Sequence, residues 1–266
     1  MARMTIASLL DPVTGEPGPA RLDHATRWMQ GRTLYGGASA LIAFTMAQRA
    51  FPGLPPLRAG QVGFVAPIGE EIELSAQMIR QGRNVTQVRS EIRCDGNIAL
   101  TAFWLFAAER DSTAIRASDP PADWPGAPGE NEIAIANKGE DRGPEFIRNN
   151  FEIRFGQAKD ADHGATIRRW ARLTQDHELD PVSKLILMGD VMPPGAIRIM
   201  KRPGPISSIN WSFNVLDPNT SSEDGWYLAE NASQHAAGGY SSERLRMWDS
   251  RGQQVLDGLQ SVAVFG

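Results

Sequence analysis

Two kinds of pattern alternate along the chain: stretches in which apolar residues recur at helical spacing, and stretches in which apolar and polar residues alternate one by one. From Gly37 the sequence runs Ala-Ser-Ala-Leu-Ile-Ala-Phe-Thr-Met-Ala-Gln-Arg-Ala-Phe, rich in helix formers, and Pro52-Gly53 stops it. This predicts a buried helix in which Ala40, Ala43 and Ala47 let a sheet wrap closely. Ile72, Leu74, Ala76 and Met78 then alternate with Glu71, Glu73, Ser75 and Gln77, the period of a half-buried antiparallel strand. Gln81-Gly82-Arg83-Asn84 reads as a hairpin turn, and Val85 to Arg93 as the next strand. After the turn dipeptide Asp95-Gly96, Ile98 to Ala107 is apolar on both faces, as in a central or covered strand. Residues 1 to 34 carry turn signals and a strand pattern around Ala20 to Met29, a lead-in to this first unit.

The same succession returns later. Asp180 suits a helix N-cap, Pro181 the first helical position, and Pro193-Pro194 closes the segment. Phe146 to Phe155 and Ala165 to Thr174 precede this helix as strands. Ile206 to Leu216, Gly225 to about Gln234, Gly239 to Trp248 and Gln253 to Phe265 follow it. Helix then a run of strands, twice, is the repeat, and a site is expected at the seam between the copies. Between Arg110 and Gly143 lie Asp119-Pro120-Pro121-Ala122-Asp123-Trp124-Pro125-Gly126 and the charged run Lys138 to Arg142, a linker by composition. The expected division is therefore a unit over 1–110, a linker over 111–144 and a unit over 145–266.

Composition narrows the function. A net charge of -4 with interleaved signs gives no basic stripe, which argues against a nucleic-acid partner. No apolar run approaches the length that spans a bilayer, and Met1 to Thr5 lacks a signal-peptide block, so no membrane association and a cytoplasmic location are expected. The single cysteine, Cys94, excludes an internal disulfide framework and reads as a strand residue before a turn. His24, His163, His177 and His235 are scattered without metal-ligand spacing, so neither a metal nor a redox cofactor is expected. Gly36-Gly37-Ala38-Ser39-Ala40 is not the nucleophile elbow of serine hydrolases.

Two polar residues stand out on apolar faces. Asp190 shares a helix face with Val182 and Ile186 near the helix C-terminus, where a carboxylate is mildly disfavoured without a partner. Gln260 shares a strand face with Leu256, Val262 and Val264, where an unpaired amide costs about 1–3 kcal/mol. Read from the residues alone, each is first of all a structural group, Asp190 bonded to a nearby backbone amide and Gln260 to a neighbouring strand or buried water. Ser208 shares its alternation with Asn210 and Ser212, opposite Ile209, Trp211 and Phe213, on a face that can simply be exposed. Gly36 and Gly37 either offer free amides at a helix start or merely permit a tight turn.

Gln30-Gly31-Arg32-Thr33-Leu34-Tyr35-Gly36-Gly37, Gly189-Asp190, Ser207 to Phe213 and Gly258-Leu259-Gln260-Ser261 together resemble the acyl-CoA thioesterase family of double hotdog proteins, the bacterial thioesterase II type. The resemblance runs from about Ala20 to the end, linker excepted. It implies an α+β fold in which two tandem units each wrap a long helix in an antiparallel sheet. It also implies an Asp190, Ser208 and Gln260 triad, with serine where the family commonly has threonine and Ser207 the adjacent alternative. The implied activity is hydrolysis of acyl-CoA to CoA and free acid by direct attack of water. Asp190 and Gln260 would activate the water, Ser208 would support them, and the Gly36 and Gly37 amides would polarise the carbonyl. The acyl chain is then expected between the helices, along Leu41, Phe44, Ile186 and Met188. Further pairing into homo-oligomers is compatible with such a fold. The aspartate and histidine that mark hotdog hydratases are missing, since Gly195 stands five residues after Asp190. The alternatives are a hotdog protein that binds acyl thioesters or other apolar ligands without cleaving them, and a purely structural pseudo-dimer with a closed seam.

Overall fold

The computed structural model describes residues 5–129, 144–158, 162–175 and 179–266; His177 and the charged run from Lys138 to Arg142 lie outside them. After a short helix α1 (Ile6–Leu10), the first half comprises β1 (Gly18–Arg21), β2 (Met29–Gln30), β3 (Thr33–Leu34), α2 (Gly36–Ala50), β4 (Leu57–Phe64), β5 (Glu71–Gln81), β6 (Val85–Cys94) and β7 (Asn97–Ala107). The second comprises α3 (Glu145–Asn150), β8 (Phe151–Phe155), β9 (Thr166–Leu173), α4 (Pro181–Gly189), β10 (Ile206–Val215), β11 (Tyr227–Ala237), β12 (Tyr240–Asp249) and β13 (Gln254–Val264). Eleven strands form one antiparallel sheet in the order β1-β5-β6-β7-β4-β10-β13-β12-β11-β9-β8, and β2 pairs with β3 apart from it.

Helix α2 is buried without interruption from Gly37 to Ala47, as a helix wrapped by a sheet must be. Phe44 fixes it by ring contacts to Trp104 at 5.2 Å and Phe106 at 6.1 Å. Helix α4 packs against α2 and against β12 and β13, so one apolar core runs beneath both halves. Its start is set locally: Asp180 accepts from the Ser183 amide at 3.0 Å and from its hydroxyl at 2.6 Å.

The halves join through β4 and β10, where Trp211 lies opposite Val62 and Phe213 opposite Gly60. A Cβ on Gly60 would overlap the Phe213 ring. Strand β4 carries glycines at 60 and 63, which weaken a strand pattern in sequence, and it is the joining strand that pattern analysis does not reveal. Three other expectations change. Ala20 to Met29 divides into β1 and a 3-10 turn at Ala25–Trp28, entered at His24 with φ 65°. Phe146 to Phe155 begins as helix α3 and becomes strand only at Phe151. Helix α4 ends at Gly189, before Pro193, with Asp190 as its C-cap, and Gly189 rests on the Trp211 ring, which leaves no room for a Cβ.

Part of the linker is packed. Asp123 bonds Arg168 at 2.8 Å, and Trp124 meets Trp170 edge-on at 5.4 Å. They cover the sheet face opposite the helices, where Trp170, Leu228 and Trp248 lie side by side across β9, β11 and β12. One register step along that face, Arg168 and Arg246 both bond the buried Glu230.

Candidate active site

Asp190 forms the C-cap of α4, at φ -109° and ψ 15°, so its side chain leaves the helix end toward β13. Gln260 meets it there, donating from Nε2 to Asp190 Oδ1 at 2.7 Å. Gln260 is only 3% exposed and lies between Trp211 on β10 and Glu243 on β12 in the sheet register. Burial pushes the Asp190 carboxyl up to about 7, against the opposing pull of the Gln260 hydrogen bond. A carboxylate poised there exchanges a proton near neutral pH.

The second carboxylate oxygen faces the other half of the molecule. A Cβ on Gly36 would overlap Asp190 Oδ2 and lie 3.2 Å from the Phe64 ring, so glycine lets the start of α2 approach the acid. The N-cap residue Tyr35 provides no side-chain cap, and Gly36, Gly37 and Ala38 occupy the first turn, where amides have no intrahelical acceptor. The Tyr35 side chain instead crosses the seam: its phenol donates to the Leu187 carbonyl in the last turn of α4. Burial and then the nearby Asp190 charge raise the Tyr35 phenol well above its ordinary value, so it remains a donor. A Cβ on Gly37 would overlap the same phenol and carbonyl. Gly36, Gly37, Asp190 and Gln260 thus gather where the two helices meet.

Ser208 has a different orientation from the one simple alternation gives. The β10–β13 register shifts between Ser208 and Asn210, leaving Ile209 as the extra residue of a bulge. Ser208 therefore lies opposite Val262, on the same face as Trp211 and Gln260. Among the described residues its hydroxyl bonds neither Asp190 nor Gln260. Leu41, Phe44, Ile186 and Met188 are all buried in the common core.

The loop after Asp190 is held by buried polar groups that the sequence reading missed. Glu243 accepts from the amides of Gly195 at 2.8 Å and Ala196 at 3.2 Å, and from the Ser241 hydroxyl at 2.5 Å. Asn231 donates to the carbonyls of Met192 at 3.0 Å and Pro193 at 3.2 Å. The signal that exposes Gln260 was present for Glu243 as well, since it alternates onto the face of Leu245 and Met247. Elsewhere, His24 and His235 are exposed, and His163 contacts the Ala158 carbonyl at 2.7 Å. Cys94 is a free thiol at the end of β6, before the Asp95-Gly96 turn with φ 51° and 75°. Among the described residues, no group of three acidic, histidine or cysteine side chains could hold a metal, and no helix is long and apolar enough to cross a membrane.

Two helices, each wrapped by an antiparallel sheet and joined edge to edge, define a double hotdog protein of the α+β class. The chain belongs to the acyl-CoA thioesterase family, matching its N-terminal domain over residues 24–107 and its C-terminal domain over 117–264. Among solved structures it is similar to a candidate thioesterase II from Thermobifida fusca YX, at 17% identity over 100% of both chains, TM-score 0.74. It is also similar to a conserved hot dog fold protein of unknown function from Alicyclobacillus acidocaldarius, at 18% identity over 95% of this chain and 97% of that one, TM-score 0.73. The acyl-CoA thioesterase II TesB2 from Mycobacterium marinum matches at 15% identity over 98% of both, TM-score 0.68. No protein of curated function matches the chain.

Proposed function

We propose that this protein hydrolyses acyl-CoA thioesters to CoA and a free carboxylic acid by direct attack of water, with 1–110 and 145–266 as its two units and 111–144 between them. The observation that carries this reading is the Asp190 carboxylate, bonded to Gln260 at 2.7 Å and packed against the glycine that begins α2. In the reaction, Asp190 takes a proton from a water as its oxygen bonds the thioester carbonyl carbon. Gln260 holds the carboxylate and orients the water. The Gly36 and Gly37 amides receive the oxyanion at the positive end of the helix dipole. Collapse of the tetrahedral intermediate breaks the C–S bond, and the thiolate leaves with the proton returned from Asp190 or taken from solvent. Ser208, unbonded to either partner, is free to hold the water or the ester.

Single turnover in ¹⁸O-labelled water tests the mechanism. Direct attack places the label in the released acid with equimolar free thiol; label recovered in the Asp190 carboxylate would mean a covalent acyl-enzyme and contradict it. Acyl-CoA that binds but releases no thiol would instead favour a binding protein.

A further inference from the structure

After Asp190 the chain passes through a 3-10 turn at Gly195–Arg198 and runs on through Met200, Lys201 and Arg202 to β10. These three residues line an open groove of about 590 Å³ together with Ala237, Tyr240 and Val264. None of its lining residues is acidic. Lys201 and Arg202 are exposed and, among the described residues, make no ion pair or side-chain hydrogen bond. Tyr240 follows the two-residue turn Gly238-Gly239, with φ 59° and 83°, and stands 60% exposed at the head of β12. The groove thus offers two unpaired cations and an aromatic ring around an apolar base.

Its position relates it to the candidate active site. Val264 lies on the same strand face as Gln260 and Val262, and four residues at a rise of ~3.3 Å place it about 13 Å from Gln260. Ser208, opposite Val262, stands between the two. We propose that this groove binds the phosphorylated adenosine end of CoA while the thioester lies at Asp190: Lys201 and Arg202 take the phosphates, and Tyr240 stacks on the adenine. The inference rests on the hydrolase reading above. The pantetheine arm, a long flexible chain joining thiol to phosphates, provides the span between the sites. Two arginines on the first half are less suited: Arg89 is already engaged with Glu91 at 3.4 Å, and Arg80 lies on β5, away from the strand that carries Gln260. Where contacts to such a remote, non-reacting part of the substrate are made equally in ground and transition states, their loss raises KM and leaves kcat unchanged.

The test compares wild type with a Lys201→Ala/Arg202→Ala double variant, whose exposed positions leave folding intact. Binding of adenosine 3′,5′-bisphosphate is measured by calorimetry, and hydrolysis with an acyl-CoA and with the same acyl group on pantetheine. The expected result is bisphosphate binding weakened about tenfold or more, with KM for acyl-CoA raised about as much. The pantetheine ester should be hydrolysed alike by both proteins. Wild type that fails to bind the bisphosphate, or a variant that binds it equally, overturns the inference. Absence of thiol release from either ester overturns the hydrolase reading alone, and bisphosphate binding that depends on Lys201 and Arg202 would still support the groove.

Discussion

Asp190 carries opposing demands. Its burial beside Gln260 raises the carboxyl to about 7, so the ionised form that the proposed reaction needs as a base is also the form the folded protein holds least comfortably. The folded-state value exceeds the unfolded value of about 3.9. The associated stability is fully present below the unfolded value and is lost as pH rises through about 7. Asp190→Asn keeps an oxygen for the Gln260 amide and removes the charge. It should lower kcat by about 10²–10⁴-fold. It should also raise unfolding free energy at pH 8 by up to about 4 kcal/mol and flatten its pH dependence between about 4 and 7, as denaturant titration would report. Gly36→Ala separates function from stability in the opposite sense. Alanine suits the first turn of a helix, but its Cβ would displace Asp190 Oδ2. A near-native melting temperature with kcat/KM down about 10²-fold is expected; unchanged kinetics would show that the close approach is dispensable.

At the scale of elements, the site depends on where α4 stops and how the following loop is held. Gly189 seats the helix end on Trp211, Tyr35 caps a carbonyl of its last turn from across the seam, and Glu243 and Asn231 fix residues 192–196. Tyr35→Phe leaves the buried Leu187 carbonyl unpaired and should cost about 1–3 kcal/mol of stability. Glu243→Gln replaces a two-oxygen acceptor by one oxygen and a donor that faces amides, with a cost of about 2 kcal/mol. If either variant melts like wild type, the corresponding brace is absent in solution. These braces also explain what the sequence could and could not reveal. The α2 helix, the β5 to β7 meander and the strands after α4 follow from periodicity and turn dipeptides. Strand β4 does not, because Gly60 and Gly63 exist to admit Phe213 and a close neighbour strand rather than to favour extended chain. The orientation of Ser208 was equally hidden, since a one-residue bulge at Ile209 reverses the face that alternation assigns.

At the scale of the whole molecule, joining β4 to β10 gives one sheet with two helices on the same side and a seam that brings residues from distant parts of the chain together. Gly36 and Asp190 are adjacent only because of that seam, so the proposed site needs both halves. A polar residue on an apolar face was readable in sequence at Asp190 and Gln260; that they bond each other was not, because the contact depends on the helix end reaching across the sheet. The packed part of the linker, with Asp123 on Arg168 and Trp124 on Trp170, likewise appears only in three dimensions. The most direct test is the pH dependence of kcat/KM for acyl-CoA hydrolysis. A rate that rises through an apparent pKa near 7, and loses that limb in Asp190→Asn, is the predicted result. A profile that is flat through neutrality, or a limb that persists without the carboxylate, would contradict Asp190 as the base.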